Sequence, residues 1–135
     1  MNSTTGRSIG QPSAALREDY ARYYDAYLKI IDACRPGVTA GGVYDFAVKT
    51  FGKLGWTYTS ILVGHSVGAW WHQQEPIVAR GRDLTLEEGM VLALEPHGLN
   101  PGPGFLHLQD MAVVRRSGPE LLSAKFPTHE MFVIE

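Results

Sequence analysis

The spacing of apolar residues changes period once along this chain, and that change limits the folds open to it. Leu16, Tyr20, Tyr23, Tyr24, Tyr27, Leu28 and Ile31 recur at three- and four-residue intervals, the repeat of an amphipathic helix. The pattern predicts a helix from Ser13 to a stop at Arg35-Pro36-Gly37, where proline and glycine cannot continue it. Its aromatic stripe suits core packing, with tyrosine hydroxyls that could also serve an interface. A second helix is predicted from about Ala40 to Leu54, with Thr39 as N-cap, Val43, Phe46, Ala47, Thr50 and Leu54 on the inner face, and Gly55 as the stop. Beyond Gly55 the helical repeat disappears. Short β segments at 57–62, 91–95, 106–114, 120–123 and 131–134 alternate with glycine and proline turns. Residues 1–12 read as an irregular lead-in. Two helices followed by several strands predict an α+β fold with a curved, mainly antiparallel sheet.

With 135 residues the chain has room for a single core. A formal net charge of −2, with twelve scattered Lys and Arg, argues against a nucleic acid or an anionic membrane as partner. No apolar run approaches the ~20 residues needed to span a bilayer, and the polar start Met1-Asn2-Ser3-Thr4-Thr5 has no signal-peptide core. A cytoplasmic location is expected. The single cysteine, Cys34, cannot form an internal disulfide and reads as a small buried apolar residue.

The residues richest in chemistry lie in the β region. Gly64-His65-Ser66-Val67-Gly68 reads as a turn presenting one imidazole with little steric cover. His72 follows seven residues after His65, and the apolar run Gly89-Met90-Val91-Leu92-Ala93-Leu94 ends in Glu95-Pro96, which delivers a carboxylate at a strand tip. Histidine and glutamate together suit a divalent metal ion. Trp70 and Trp71 could form an apolar pocket wall beside His72. His97 and His129 read as solvent-exposed, and Arg80-Gly81-Arg82-Asp83 and Glu87-Glu88 as a solvated turn.

This order of residues resembles the pita-bread metallopeptidase family of methionine aminopeptidase, Xaa-Pro aminopeptidase, Xaa-Pro dipeptidase and creatinase. Members carry Gly-His-Gly-Ile-Gly, a second histidine seven residues on, then Gly-Met-Val shortly before Glu-Pro-Gly. The resemblance extends downstream through Pro103-Gly104-Phe105-Leu106-His107-Leu108-Gln109-Asp110, Val113-Val114 and Ser117-Gly118-Pro119-Glu120-Leu121-Leu122. Upstream it takes in Gly10-Gln11-Pro12-Ser13 and Arg35-Pro36-Gly37-Val38-Thr39. It implies that residues 1–135 form the C-terminal half of a pita-bread domain.

The resemblance also implies a site. The family's hydrolases hold two divalent ions (Mn, Co, Fe or Zn) through two Asp, one His and two Glu. His65 matches the His ligand and Glu95 the first Glu, whereas Gln109 stands at the bridging Glu. Asn2 stands at the second Asp, and the first Asp would precede Met1. His72 matches the histidine that contacts substrate and helps stabilise the tetrahedral intermediate, with Trp71 a candidate substrate contact. A neutral amide cannot bridge two hard cations as a carboxylate does, so none or only weakly bound metal is expected in this chain. His107 replaces the family's Arg, and a replacement cluster of His65, Glu95 and His107 is an alternative.

The resemblance thus implies a fragment of an Xaa-Pro-type metallohydrolase with an eroded dinuclear site, inactive alone, acting in ancestry on a peptide or small amide. The alternative is a non-catalytic pita-bread binding module. An isolated half-fold would expose sheet edge and apolar surface, so a homo-oligomer, or pairing with a missing N-terminal half, is expected.

Overall fold

The computed structural model describes residues 6–68, 75–102, 104–126 and 128–135. Its first element is β1 (Arg7–Ile9), within the stretch expected to be irregular. The predicted helices follow as α1 (Ala14–Asp32) and α2 (Ala40–Lys53). Each begins at a side-chain cap: the Ser13 hydroxyl accepts from the Leu16 N–H, and the Thr39 hydroxyl from that of Gly42. In α2 the buried stripe is Ala40, Val43, Tyr44, Ala47 and Phe51. Phe46, expected inside, is exposed, because the stripe is rotated toward Tyr44 and Phe51 and carries Phe46 to its outer side.

The strands are β2 (Thr57–Tyr58), β3 (Leu62–Ser66), β4 (Ile77–Ala79), β5 (Val91–Leu94), β6 (His97–Asn100), β7 (Gly104–His107), β8 (Asp110–Val113), β9 (Glu120–Leu121) and β10 (Phe132–Ile134). They form an antiparallel sheet in the order β4-β3-β5-β8-β9, a second antiparallel sheet β2-β6-β7, and a parallel ribbon β1-β10. The predicted α+β, mainly antiparallel architecture is therefore present, with the strands divided differently. The segment 57–62 splits between two sheets as β2 and β3, and 106–114 splits as β7 and β8.

Two neighbouring stretches thus leave the larger sheet at the same level. After β5 the chain passes through Glu95-Pro96 into β6, and β7 reaches β8 through Leu108-Gln109. Pro96 has no N–H to extend a ladder. The Leu108 N–H is taken by the Tyr23 hydroxyl at 2.7 Å, which itself donates to Pro96 O at 2.5 Å. One buried phenol thereby uses its donor and an acceptor position to fasten both crossings to α1. The rings of Tyr23, Phe51 and Trp56 stack beneath this junction, joining both helices to the sheet layer.

Candidate functional site

The predicted glycine turn at Gly64-His65 is instead part of β3, an interior strand between β4 and β5. The reason is close packing: a Cβ on Gly64 would lie 2.3 Å from Ala93 O, so only glycine lets β3 and β5 approach this closely. His65 is consequently a buried strand residue, 2% exposed.

Register explains which groups meet. His65 pairs with Ala93, and Ala93 pairs with Met111. Side chains two residues apart share a face, so Glu95, two beyond Ala93, and Gln109, two before Met111, lie on the His65 face at the sheet's end. Asp110 belongs to the opposite face, where it accepts a 3.0 Å hydrogen bond from the Tyr27 hydroxyl. Burial and the neighbouring Asp110 carboxylate both raise the Tyr27 pKa.

The structure brings His65, Glu95 and His107 together. His65 Nε2 lies 3.9 Å from Glu95 Oε1, and His107 Nε2 lies 3.7 Å from Glu95 Oε2. The side chains of Glu95 and His107 are 22% and 30% exposed, so both can be reached from outside. His65 Nδ1 sits 2.8 Å from Ser66 O. Nδ1–H donates to that carbonyl, and Nε2 is the ring nitrogen on the Glu95 side. His107 is neutral-leaning: burial lowers its pKa first, and His97 lowers it further, against a raising effect of Glu95. Gln109 is buried at 8% exposure.

His97, expected in solvent, belongs to this cluster. It is half-buried, stacks on Tyr58 at 5.9 Å, and meets His107 edge-on at 5.4 Å. Its Nδ1 is 3.2 Å from Glu95 O, and it pairs directly with His107 across β6 and β7. Its position two residues after Glu95, at strand period, was the available sequence clue. Burial also raises the Tyr58 pKa and keeps that phenol protonated. His129 is exposed as expected. Cys34 is buried, and burial pushes its thiol up to about 12.

The replacement cluster of His65, Glu95 and His107 does not form as a metal site. The imidazoles sit on different oxygens of Glu95 and bracket the carboxylate instead of converging. Among the described residues no group of three or more His, Cys, Asp or Glu side chains is placed to hold a metal ion. His72, Trp70, Trp71 and Asn2 lie outside the described residues.

A family model described as metallopeptidase family M24 matches residues 2–116. The chain is 31% identical to the probable dipeptidase PepE of Mycobacterium tuberculosis (strain H37Rv), over 98% of this chain and 35% of that protein. Against the Xaa-Pro dipeptidase of Lactobacillus helveticus it is 34% identical, over 86% of this chain and 32% of that one. The crystal structure of dipeptidase PepE from Mycobacterium ulcerans superposes with a TM-score of 0.83 at 32% identity, covering 99% of this chain and 36% of that one. The chain spans about a third of the length of the curated relatives it matches.

Proposed function

The chain belongs to metallopeptidase family M24, and on that premise we propose that it is an Xaa-Pro peptidase-type scaffold whose dinuclear metal centre is eroded, without turnover of its own. Its two helices and antiparallel sheets are part of the pita-bread fold, and its similarity to Xaa-Pro dipeptidases makes a peptide the substrate class. No helix among the described residues is long and apolar enough to cross a membrane.

The observation that carries this reading is Gln109. It lies on the face of His65 and Glu95, and it brings a neutral amide to the place that the resemblance gives to the family's bridging glutamate. Two divalent ions need several anionic donors to offset their charge. On this face the described donors supply a single carboxylate, Glu95. The nearby Asp110 is turned to the helix side and held by Tyr27. The residues present do not fit a dinuclear ion pair, so no catalytic step is derived through one. In this reading His65 and Glu95 are relics of the ligand set, Asn2 replaces one of its aspartates, and His72 and Trp71 are the residues that the resemblance matches to substrate contacts. The same amide supports a second reading, a non-catalytic module that binds peptides in the old pocket, because removing the ions leaves polar, hydrogen-bonding side chains along it.

Elemental analysis of the chain purified without added ions, followed by an Xaa-Pro dipeptide cleavage assay in excess Mn or Co, tests the proposal. Well under one equivalent of metal and no turnover are expected. Gln109→Glu alone should not restore activity; restoration should need that change, Asn2→Asp and an upstream segment supplying the first aspartate. Two tightly held equivalents, or turnover abolished by His65→Ala and by Glu95→Ala, would refute it.

A further inference from the structure

A cleft of about 400 Å³ lies between α1 and the C-terminal segment that ends in β10, and its lining includes none of His65, Glu95 and His107. Its volume falls at the lower end of the range for small-ligand sites. Arg17, Tyr20 and Ala21, three and four residues apart on one helix face, form one wall. Met131 and Val133 form the other, joined by the exposed His129 and Glu130. The walls are tied together. The Tyr20 hydroxyl donates to Thr128 O at 2.7 Å, and the Phe132 N–H to Gly6 O and the Gly10 N–H to Ile134 O, each at 2.8 Å, hold β10 to β1. Ala21 contributes only a methyl group, which leaves the space open from the helix side.

The lining carries charges of both signs over an apolar floor. Arg17 Nη2 donates to a neutral partner, Gln11 Oε1, at 3.3 Å, and Arg17 is in no ion pair among the described residues. Glu130 Oε1 has only His129 Nε2 near it, at 3.9 Å and with an 83% exposed side chain, a pair that contributes little. A guanidinium and a carboxylate are thus open to a ligand. The Tyr20 hydroxyl is already engaged by Thr128, so Tyr20 offers its ring, beside Ala21, Met131 and Val133. We propose that this cleft binds a small zwitterion with an apolar body, a free amino acid such as leucine. Arg17 takes the carboxylate, Glu130 takes the ammonium, and the ligand side chain lies on Ala21, Met131 and Val133. A wholly apolar ligand would strip water from both charges without replacing it, and a plain anion would meet Glu130. The opposite charges therefore select a ligand that carries both.

Titration of the full, isotope-labelled chain with leucine, read from the NMR amide shifts of Ala21, Met131 and Val133, tests the assignment. Saturable shifts with a Kd of about 0.1 to 1 mM are expected from so small a ligand. Isocaproate, which lacks the ammonium, and isopentylamine, which lacks the carboxylate, should each bind about tenfold more weakly or worse. Arg17→Gln should weaken leucine about tenfold and leave isopentylamine unchanged, whereas Glu130→Gln should weaken leucine and leave isocaproate unchanged. Ala21→Leu fills the cleft from an exposed helix position that tolerates leucine, so binding should vanish with unchanged far-UV circular dichroism. If that variant loses its fold, the two charge variants decide instead. No saturable shift up to about 20 mM leucine overturns the proposal, as does binding that survives Ala21→Leu in a folded chain. Equal affinity for leucine and either analogue overturns the zwitterion as ligand, and leucine binding unaltered by both charge variants overturns the roles of Arg17 and Glu130.

Discussion

The two sides of the sheet junction are built to different standards. On the helix side, Tyr23 holds Pro96 and Leu108 at 2.5 and 2.7 Å, and Tyr27 holds Asp110 at 3.0 Å, all in the buried core. On the other side, His65 and His107 approach Glu95 only to 3.9 and 3.7 Å, beside a half-open carboxylate. These latter separations exceed hydrogen-bond length. The contrast teaches that the groups fixing the junction and the partly open histidine–glutamate cluster are separable, though they occupy opposite faces of the same few residues.

The sharpest way to break that comparison is to remove one phenol. Tyr23→Phe leaves a buried carbonyl and a buried N–H without their partner, which costs about 2–5 kcal/mol by the desolvation of two groups. Denaturant unfolding should register the loss, whereas Glu95→Gln, on the solvent-reached side, should change stability by less than about 1 kcal/mol. Equal effects would show that the two faces are not energetically distinct.

A smaller effect is expected between the strands. Gly64→Ala sets a methyl against Ala93 O at 2.3 Å, and forcing β3 and β5 apart costs about 1–3 kcal/mol. The His65 amide should then exchange faster with solvent. Unaltered stability and exchange would mean that the sheet spreads without resistance and that His65 is not held by strand packing.

The smallest effect is titration. The folded His107 pKa lies below its ordinary 6.5, so the unfolded chain binds more protons between the two values and stability rises with pH there. The contribution is complete above 6.5 and is lost as pH falls through the folded pKa. His107→Gln should flatten the dependence of the unfolding midpoint on pH across that window. An unchanged slope would assign the dependence to other groups.

Legibility in the sequence followed the range of the forces involved. Both helices were readable to within a few residues, because the three- and four-residue repeat and the Ser13 and Thr39 caps are local. The Gly-His and Glu-Pro blocks were readable as a family, because their order lies in the chain itself. His65 was misplaced in a turn because glycine ordinarily marks one, and nothing nearby in sequence reveals that Ala93 needs the space. His97 was misjudged because its burial comes from Tyr58 and His107, on different strands.

By itself, then, the sequence determined where helix gives way to strand, the α+β class, and the presence of an amide at position 109 in a metallopeptidase framework. Tertiary structure alone decided how the strands divide into sheets and which side chains face each other across the junction. The physical reason lies in Tyr23, whose hydroxyl meets the Leu108 N–H across 85 positions of sequence. A crossing between sheets depends on such distant partners, and no local periodicity records them.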